Sequence, residues 1–453
     1  MTRTLSACLA LASLAPATLS AQATPDTTHR PQPFAFADFT WLNGNSRQKD
    51  AVLDSKYFTG EFRVDVSYVG DFNGPRDHTL VGTSELGRTS EVQVQQLGIG
   101  GDFHAGHAIG RFMTQFGMYS TMTPRNDPST ARGQWDLGDA YRYISEAYGG
   151  YHLDAMNGIN IEAGIFMSYV GLFGYYNFDN WAYQPSYVSS NTPWFFNGMR
   201  VQIFPSDKLR IEPWLVNGWQ SYGMFNSAPG LGFQLLWRPT GSLSVLSNGY
   251  YGKDWLGIPD RWRAHSDNSV EVKYLDHPHG APTKAAFSFT FDLGCEGGGA
   301  DEDVNVNCMS DAPSGPAQNF AGFMFYHRLW FADDQVGLTL GGGAMTNPGR
   351  YLVLMPPING ATAFSGTPYF TENPGDQFKA WDASLTFDYM PDEFATFRAE
   401  LDHREASVPY FAGAGGVTPP GGNTGAAGAL VPGFTPDLRK TETRLNLALL
   451  VKL

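Results

Sequence analysis

The sequence predicts an all-β protein, a transmembrane antiparallel up-and-down β-barrel of about 16 strands. Three observations lead to this fold class: an export signal without a later apolar helix, a shortage of charged residues, and alternating segments joined by connections of alternating length. Alternation matters because successive side chains of a strand point to opposite faces. One face of a barrel wall can therefore meet lipid while the other meets water.

The first 23 residues carry the export signal. Arg3 precedes the apolar run 7–17, and the small-residue site Ala21-Gln22-Ala23 follows it, as in a secretory signal peptide cleaved after Ala23 or after Ala21. No later stretch approaches the roughly 18 to 20 consecutive apolar residues of a membrane helix, so an inner-membrane helical protein is excluded. We expect a signal peptide (1–23), an N-terminal segment that is periplasmic or enters the lumen (24–56), and the barrel (57–453).

The composition fits a protein with a large apolar surface. Charged residues make up only 16% of the chain, whereas aromatic residues reach 14%. Large soluble proteins carry about 25% charged residues. A lipid-facing outer wall explains the deficit.

The strand segments show polarity with a period of two. At the end of the chain, Leu445, Leu447 and Leu449 fall on one face, whereas Arg444 and Asn446 fall on the other. Segments of this kind are typical of barrel strands. The sixteen predicted strands are 57–69, 91–103, 108–119, 141–152, 159–170, 194–204, 208–217, 230–238, 242–251, 269–275, 285–293, 320–331, 335–346, 378–389, 394–404 and 442–453.

The connections between these segments test the strand pattern independently. Long connections (70–90, 120–140, 171–193, 218–229, 252–268, 294–319, 347–377 and 405–441) alternate with short ones (104–107, 153–158, 205–207, 239–241, 276–284, 332–334 and 390–393). Outer-membrane barrels have long exterior loops and short periplasmic turns. We therefore expect both termini on the periplasmic side.

Taking the apolar face of each strand as lipid-facing places charges of both signs in the lumen. In a water-filled pore such charges set ion preference and orient polar solutes. The alternative is that opposite charges on neighbouring strands only satisfy one another. The predicted selectivity residues are Glu61, Arg63, Asp65, Arg111, Arg200, Arg210, Glu212, Arg398, Glu400, Asp402 and Arg444.

The long connection 171–193 is unusually aromatic for a segment in water. We interpret it as a constriction loop that folds inward and offers an aromatic surface to an amphipathic solute. The alternative interpretation is a lid packed on the barrel rim or an aromatic girdle at the lipid boundary, and the sequence favours neither interpretation over the other. The residues concerned are Tyr175, Tyr176, Phe178, Asp179, Trp181, Tyr183 and Tyr187.

Two cysteines remain after the signal peptide, Cys295 and Cys308. In an oxidising exterior they are expected to form a disulfide, with two free thiols as the alternative. The acidic triplet 301–303 between them lacks the ligand spacing of a calcium loop and is expected to be a solvated tip. We expect no metal site and no cofactor.

No enzymatic motif accompanies the barrel pattern. The chain contains no Gly-x-Ser-x-Gly elbow, HExxH helix or phosphate-cradling glycine loop, which are signatures of common catalytic sites. We therefore predict no catalytic residues and no enzyme activity.

Several stretches resemble a known family. FADFTWLNGNSRQKD, KYFTGEFRVDVSYVGDFN, RFMTQFGMYSTMTPRND and LRIEPWLVNGWQSYGMFN, with the loop sequence GLFGYYNFDNWAYQPSYVSSNTP, are similar to the OmpL-like beta-barrel porins of Gram-negative bacteria, over roughly residues 34 to 240. The resemblance implies an outer-membrane channel for small hydrophilic solutes. The family supplies no agreed catalytic or binding residues to carry over.

Three functions remain open from the sequence. The first is a passive diffusion porin in the outer membrane. The second is a structural or adhesive barrel with a blocked lumen whose loops bind a partner, and the third is a solute-specific, sugar-like transporter. We expect outer-membrane lipid and small hydrophilic solutes as partners and no nucleic acid; a homotrimer is suggested only by analogy with other sixteen-stranded porins.

Overall fold

The computed structural model of the protein describes residues 32–83, 85–299, 305–312, 315–349, 377–422 and 431–453. The predicted signal peptide and the acidic triplet 301–303 lie outside these residues. Within them the chain is almost entirely β-structure, with a few short helices in the long connections.

Sixteen long strands form the wall in the described part of the chain. Three two-residue strands accompany them: β1 (Leu53–Asp54), β17 (Phe411–Ala412) and β18 (Leu438–Arg439). The long strands are β2 (Phe58–Asp71), β3 (Val92–Ala105), β4 (Ala108–Thr114), β5 (Ile144–Leu153), β6 (Ile159–Met167), β7 (Phe195–Ser206), β8 (Leu209–Val216), β9 (Gly230–Thr240), β10 (Leu243–Gly252), β11 (Trp262–Asp276), β12 (Lys284–Gly297), β13 (Asn319–Phe331), β14 (Val336–Asn347), β15 (Phe378–Tyr389), β16 (Ala395–Ala406) and β19 (Thr441–Lys452).

The long strands close into one antiparallel barrel. Each pairs with its neighbour along the chain, and the last strand, β19, pairs with the first, β2. In that closing pair Arg444 lies opposite Asp71, and Lys452 lies opposite Arg63. The predicted fold class is confirmed, and each of the sixteen predicted segments overlaps one long strand.

The two faces of the wall differ in polarity as a membrane barrel requires. Apolar side chains point outward and are exposed, for example Phe325 (44%), Leu385 (47%) and Leu447 (43%). On the same strands, Arg328 and Arg444 point inward and are buried. Because only lipid tolerates such an apolar exterior, this arrangement is that of a transmembrane barrel.

Strand β11 is much longer than its predicted segment, 269–275, because it begins at Trp262. In its first half Arg263, His265 and Asp267 face inward, but the outward positions include Ser266 and Asn268. Both faces are therefore polar there. A prediction that depends on alternating polarity could not detect this half of the strand.

The helices are short and lie in the long connections. They are α1 (Tyr119–Met122), α2 (Leu137–Tyr141) and α3 (Tyr187–Ser190), with 3-10 turns at Pro124–Asn126, Pro128–Ala131 and Asn177–Asp179. Ser186 caps α3 by accepting a hydrogen bond from the Val188 N–H. None of the helices in the described ranges has the length and apolar content to cross a membrane.

Candidate channel and its lumen insert

The aromatic loop 171–193, called the crossing loop below, folds into the barrel. It connects β6 to β7, yet its middle contacts β13, β15 and β16 on the far wall. Trp181, Tyr183 and Val188 are buried there, with Tyr183 and Val188 fully enclosed. The predicted loop residues thus lie within the lumen.

Glu400 holds the middle of the crossing loop. Its carboxylate accepts the backbone N–H groups of Tyr183 (2.6 Å) and Gln184 (2.8 Å). It also accepts the Thr386 hydroxyl (2.7 Å) and the Asn446 amide (3.1 Å). Four donors compensate the burial of this charge, so Glu400 anchors the loop to the wall.

Two arginines hold the loop carbonyls in the same way. Arg398 and Arg328 share the buried Asp388, at 2.6 and 2.7 Å. Arg398 donates to the carbonyls of Asn177 (3.2 Å) and Asn180 (2.6 Å). Arg328 donates to the carbonyl of Trp181 (3.2 Å). Because each guanidinium has several donors, one group can satisfy an ion pair and a loop carbonyl together.

The strand β2 charges contact the first half of the loop. Asp65 accepts the Tyr183 hydroxyl (2.7 Å) and the Asn177 amide (3.0 Å). Arg63 pairs with Asp179 at 2.9 Å and with Glu61. Burial raises the pKa of Tyr183 well above its ordinary value, so its hydroxyl stays protonated and donates to Asp65.

The N-terminal residues 34–48 lie beneath the crossing loop. The Asn43 side-chain oxygen accepts the Trp181 N–H (2.7 Å), and the Trp181 indole donates to the Trp41 carbonyl (3.1 Å). The Gly44 N–H donates to the Asp179 carbonyl (3.0 Å). We call these residues and the crossing loop together the lumen insert.

The N-terminal part of the insert is fixed to the end of the barrel where the short turns lie. The Trp41 indole donates to the carbonyl of Gly241 (3.0 Å), which lies in the turn after β9. Arg47 donates to the Ala395 carbonyl (2.6 Å) at the start of β16, and burial lowers its pKa to about 10. Gln48 donates to the Lys452 carbonyl (2.8 Å). The segment therefore enters the lumen from the short-turn end.

A second group of inward-facing charges, which includes the predicted Asp402 and Arg444, is sealed above the crossing loop. Arg444 pairs with Asp402 at 2.9 Å and with Glu442 at 3.1 Å. Arg404 lies 4.0 Å from the centre of the Tyr187 ring and donates to the Gly82 carbonyl (2.5 Å). The side chains of both arginines have no exposed surface.

The opposite wall, formed by β4 to β9, keeps partly exposed charges. The exposed side-chain fractions are 11% for Arg111, 16% for Arg200 and 23% for Arg210. Arg111 pairs with Glu61 (3.0 Å), Asp102 (2.9 Å) and Glu146 (3.0 Å). Arg200 pairs with Glu162 (2.6 Å) and Glu212 (3.8 Å). Arg210 pairs with Glu212 (3.1 Å). These inward-facing guanidinium groups therefore keep some exposed surface, unlike those of Arg404 and Arg444.

Cys295 and Cys308 are joined by a disulfide. Cys295 lies near the end of β12, and Cys308 lies in the following long connection. Among the described residues, no cluster of histidine, cysteine and acidic side chains is arranged to hold a metal ion. His107, His277 and His279 lie in short connections, whereas His104 lies at the end of β3 and pairs with Ile109 of β4.

The prediction from sequence missed two inward residues that hold the loop. Asp388 lies on the inward face of β15, and its sequence neighbours Phe387 and Tyr389 point outward. Its position was detectable, since Asp382, Ser384, Thr386 and Asp388 alternate with apolar neighbours. Arg328 was harder to recognise because the adjacent outward position of β13 is His327, which weakens the alternation.

A closed sixteen-stranded barrel with an apolar exterior and a charged interior defines a porin-like protein of the outer membrane. The chain belongs to the family described as "Putative beta-barrel porin-2, OmpL-like", whose model matches residues 58–432. No curated protein sequence matches the chain.

Three solved structures are similar to the chain at low sequence identity. In-vitro folded OmpT of Vibrio cholerae is 10% identical, with 89% of this chain and 100% of that chain covered and a TM-score of 0.47. An anion-selective porin from Comamonas acidovorans is 10% identical (87% and 99% covered, TM-score 0.47), and Pseudomonas putida OprB is 12% identical (87% and 94%, TM-score 0.49). At these identities the likeness concerns the fold alone.

Proposed function

We propose that the protein is an outer-membrane porin that forms a passive, water-filled diffusion channel for small hydrophilic solutes. The observation that carries the proposal is the partly exposed row of guanidinium groups on β4, β7 and β8 inside a barrel with an apolar exterior. Charges of this kind interact with solutes only if water reaches them. Function is then the passage itself and requires no catalytic residue.

The crossing loop is the constriction of this channel. Its backbone is held by Glu400, Arg398 and Arg328, so it occupies the side of the lumen formed by β13 to β16. Fixed hydrogen bonds at several points make it a permanent narrowing, since all of them would have to break for it to leave the lumen. Solutes therefore pass along the wall formed by β4 to β9.

Deleting residues Tyr175 to Tyr187 tests the constriction. Single-channel conductance in planar bilayers should roughly double or more, because the loop backbone no longer fills the cross-section. Removal of 423–430 from the Gly/Ala-rich part of the last long connection is the matched control, and it should leave conductance unchanged. Equal conductance of wild type and the loop deletion would reject the constriction.

A barrel with a blocked lumen, whose long loops bind a partner, is the second candidate. The observation in its favour is the tight packing of the insert, with the side chains of Arg404 and Arg444 fully enclosed. A folded, heat-modifiable wild-type barrel without conductance would select it. Saturable uptake of a sugar would instead indicate the transporter, although Trp181 and Tyr183 are packed against the wall and leave little ring surface for a solute.

A further inference from the structure

Three arginines on successive strands, Arg200 on β7, Arg210 on β8 and Arg238 on β9, form a row that leads toward the short-turn end. The carboxylates that pair with the first two are less exposed than the guanidinium groups. Side-chain exposure is 5% for Glu162 and 1% for Glu212, against 16% for Arg200 and 23% for Arg210. A solute in the lumen therefore meets guanidinium groups first.

Arg238 lacks a carboxylate partner within 4.0 Å among the residues that the structure describes. Its guanidinium lies close to two rings of the N-terminal segment, 5.0 Å from the centre of Phe34 and 4.7 Å from that of Phe39. Its Nε is buried and has no hydrogen-bond partner in the described chain. Arg238 thus has unused donor capacity and no carboxylate in direct contact among the described residues.

The acidic groups around the row are less exposed than its guanidinium groups. Glu271, on β11, interacts with the Arg238 charge through space. However, it is only 4% exposed and already accepts the Asn43 N–H at 2.8 Å. At the turn beside the row, Lys208 adds a further cation, placed 5.0 Å from the Phe36 ring centre. Low-dielectric walls focus the field of fixed charges, so these guanidinium groups act most strongly on a solute that passes close to them.

We propose that Arg200, Arg210 and Arg238 form an anion track that gives the channel a preference for small organic anions bearing a carboxylate. Guanidinium groups match carboxylates through paired N–H donors, which lysine cannot reproduce. The inference rests on the proposed channel function and deepens it by naming the solute class. The negative formal charge of the whole chain, −14, does not oppose it, because a distant surface charge is screened within about 8 to 10 Å at ordinary salt.

The test is the reversal potential of single channels in a potassium chloride gradient. Wild type should prefer chloride, and Arg210→Gln and Arg238→Gln should each lower the chloride-to-potassium permeability ratio roughly two-fold, since each removes one fixed positive charge. Arg142→Gln is the matched control, because Arg142 lies in a long connection and pairs with Asp139 at its surface. It should leave the ratio unchanged.

Two further measurements separate charge from folding and test the solute class. Arg238→Lys keeps the charge and should retain the chloride preference. Added succinate should reduce the chloride current of wild type and reduce it less in Arg238→Gln and in Arg238→Lys, because both lose the paired donors. Heat-modifiability confirms that each variant forms the barrel.

The possible failures are distinguishable. A conducting wild-type channel that prefers potassium, or one whose ratio and succinate block are unchanged by Arg210→Gln and Arg238→Gln, overturns the anion track and leaves the channel function intact. A folded wild-type barrel without any conductance overturns the channel function and the anion track together.

Discussion

The two sides of the lumen contain the same types of residue but use them differently. On the side of β13 to β19, Arg398, Arg404 and Arg444 are almost fully enclosed and contact loop backbone or buried carboxylates. On the side of β4 to β9, Arg200 and Arg210 keep surface that a solute can reach. An inward position alone therefore does not leave a charge exposed, and in the proposed channel the insert would determine which charges meet the solute.

The largest expected effect is on the sealed side, at Asp388. Asp388→Ala leaves Arg328 and Arg398 buried without their shared carboxylate, which should lower the free energy of unfolding by about 3 to 5 kcal/mol. Glu91→Ala is the control, since its pair with Arg88 is solvent-exposed and contributes about 0 to 1 kcal/mol. Thermal melts in detergent measure both. Equal destabilisation would contradict the distinction between buried and exposed pairs.

The next effect concerns the contact between the two parts of the insert, at Gly44. Its φ is +74°, and a Cβ there would lie 2.6 Å from the Leu172 carbonyl oxygen. Gly44→Ala should displace the insert, raise conductance and destabilise the protein by roughly 1 to 3 kcal/mol.

Gly74→Ala is the matched control for Gly44→Ala. Gly74 has a similar φ of +61°, but no atom lies within 4 Å of the added Cβ. It therefore isolates the backbone strain from the steric clash. Conductance that changes equally in the two variants, or in neither, would show that residues 34–48 do not support the crossing loop.

The smallest effect is a pH-dependent contact between the first and last long connections. Asp77 accepts the N–H groups of Val417 (2.8 Å) and Thr418 (2.7 Å). Burial raises the pKa of Asp77, but the hydrogen bonds with Thr418 and Val417 outweigh it and leave the pKa below its ordinary value. A carboxyl group whose pKa is lowered by folding stabilises the folded state when the pH is above its ordinary pKa. This contribution is lost as the pH falls through the lowered pKa.

Hydrogen exchange of the Val417 and Thr418 amides measures that contact. Protection relative to Asp77→Asn at the same pH should be present at neutral pH and should be lost in acid, as the pH falls through the lowered pKa of Asp77. The lumen residues of the crossing loop should show no such change over this range. Protection that is independent of pH, or equal in the Asn variant, would reject the role of Asp77.

The sequence was sufficient for the wall but not for the lumen insert. Alternation places Leu447 outward and Arg444 inward because lipid and the polar lumen act on every second residue. In contrast, the contact between Tyr183 and Glu400 joins residues 217 positions apart, and no local pattern specifies it. The aromatic content suggested that the crossing loop avoids water. Only the structure shows that Glu400 and Arg398 bind the loop backbone and that Asp65 binds its side chains.

We expect solutes to pass along the wall formed by β4 to β9 and not along the sealed side. The test is the single-channel current of Arg210→Cys and of Ser384→Cys, measured before and after addition of a bulky water-soluble thiol reagent. Arg210 is partly exposed, whereas Ser384 is an enclosed inward residue of β15. The reagent should lower the current of Arg210→Cys and leave that of Ser384→Cys unchanged. Block of Ser384→Cys with an unaffected Arg210→Cys would contradict it.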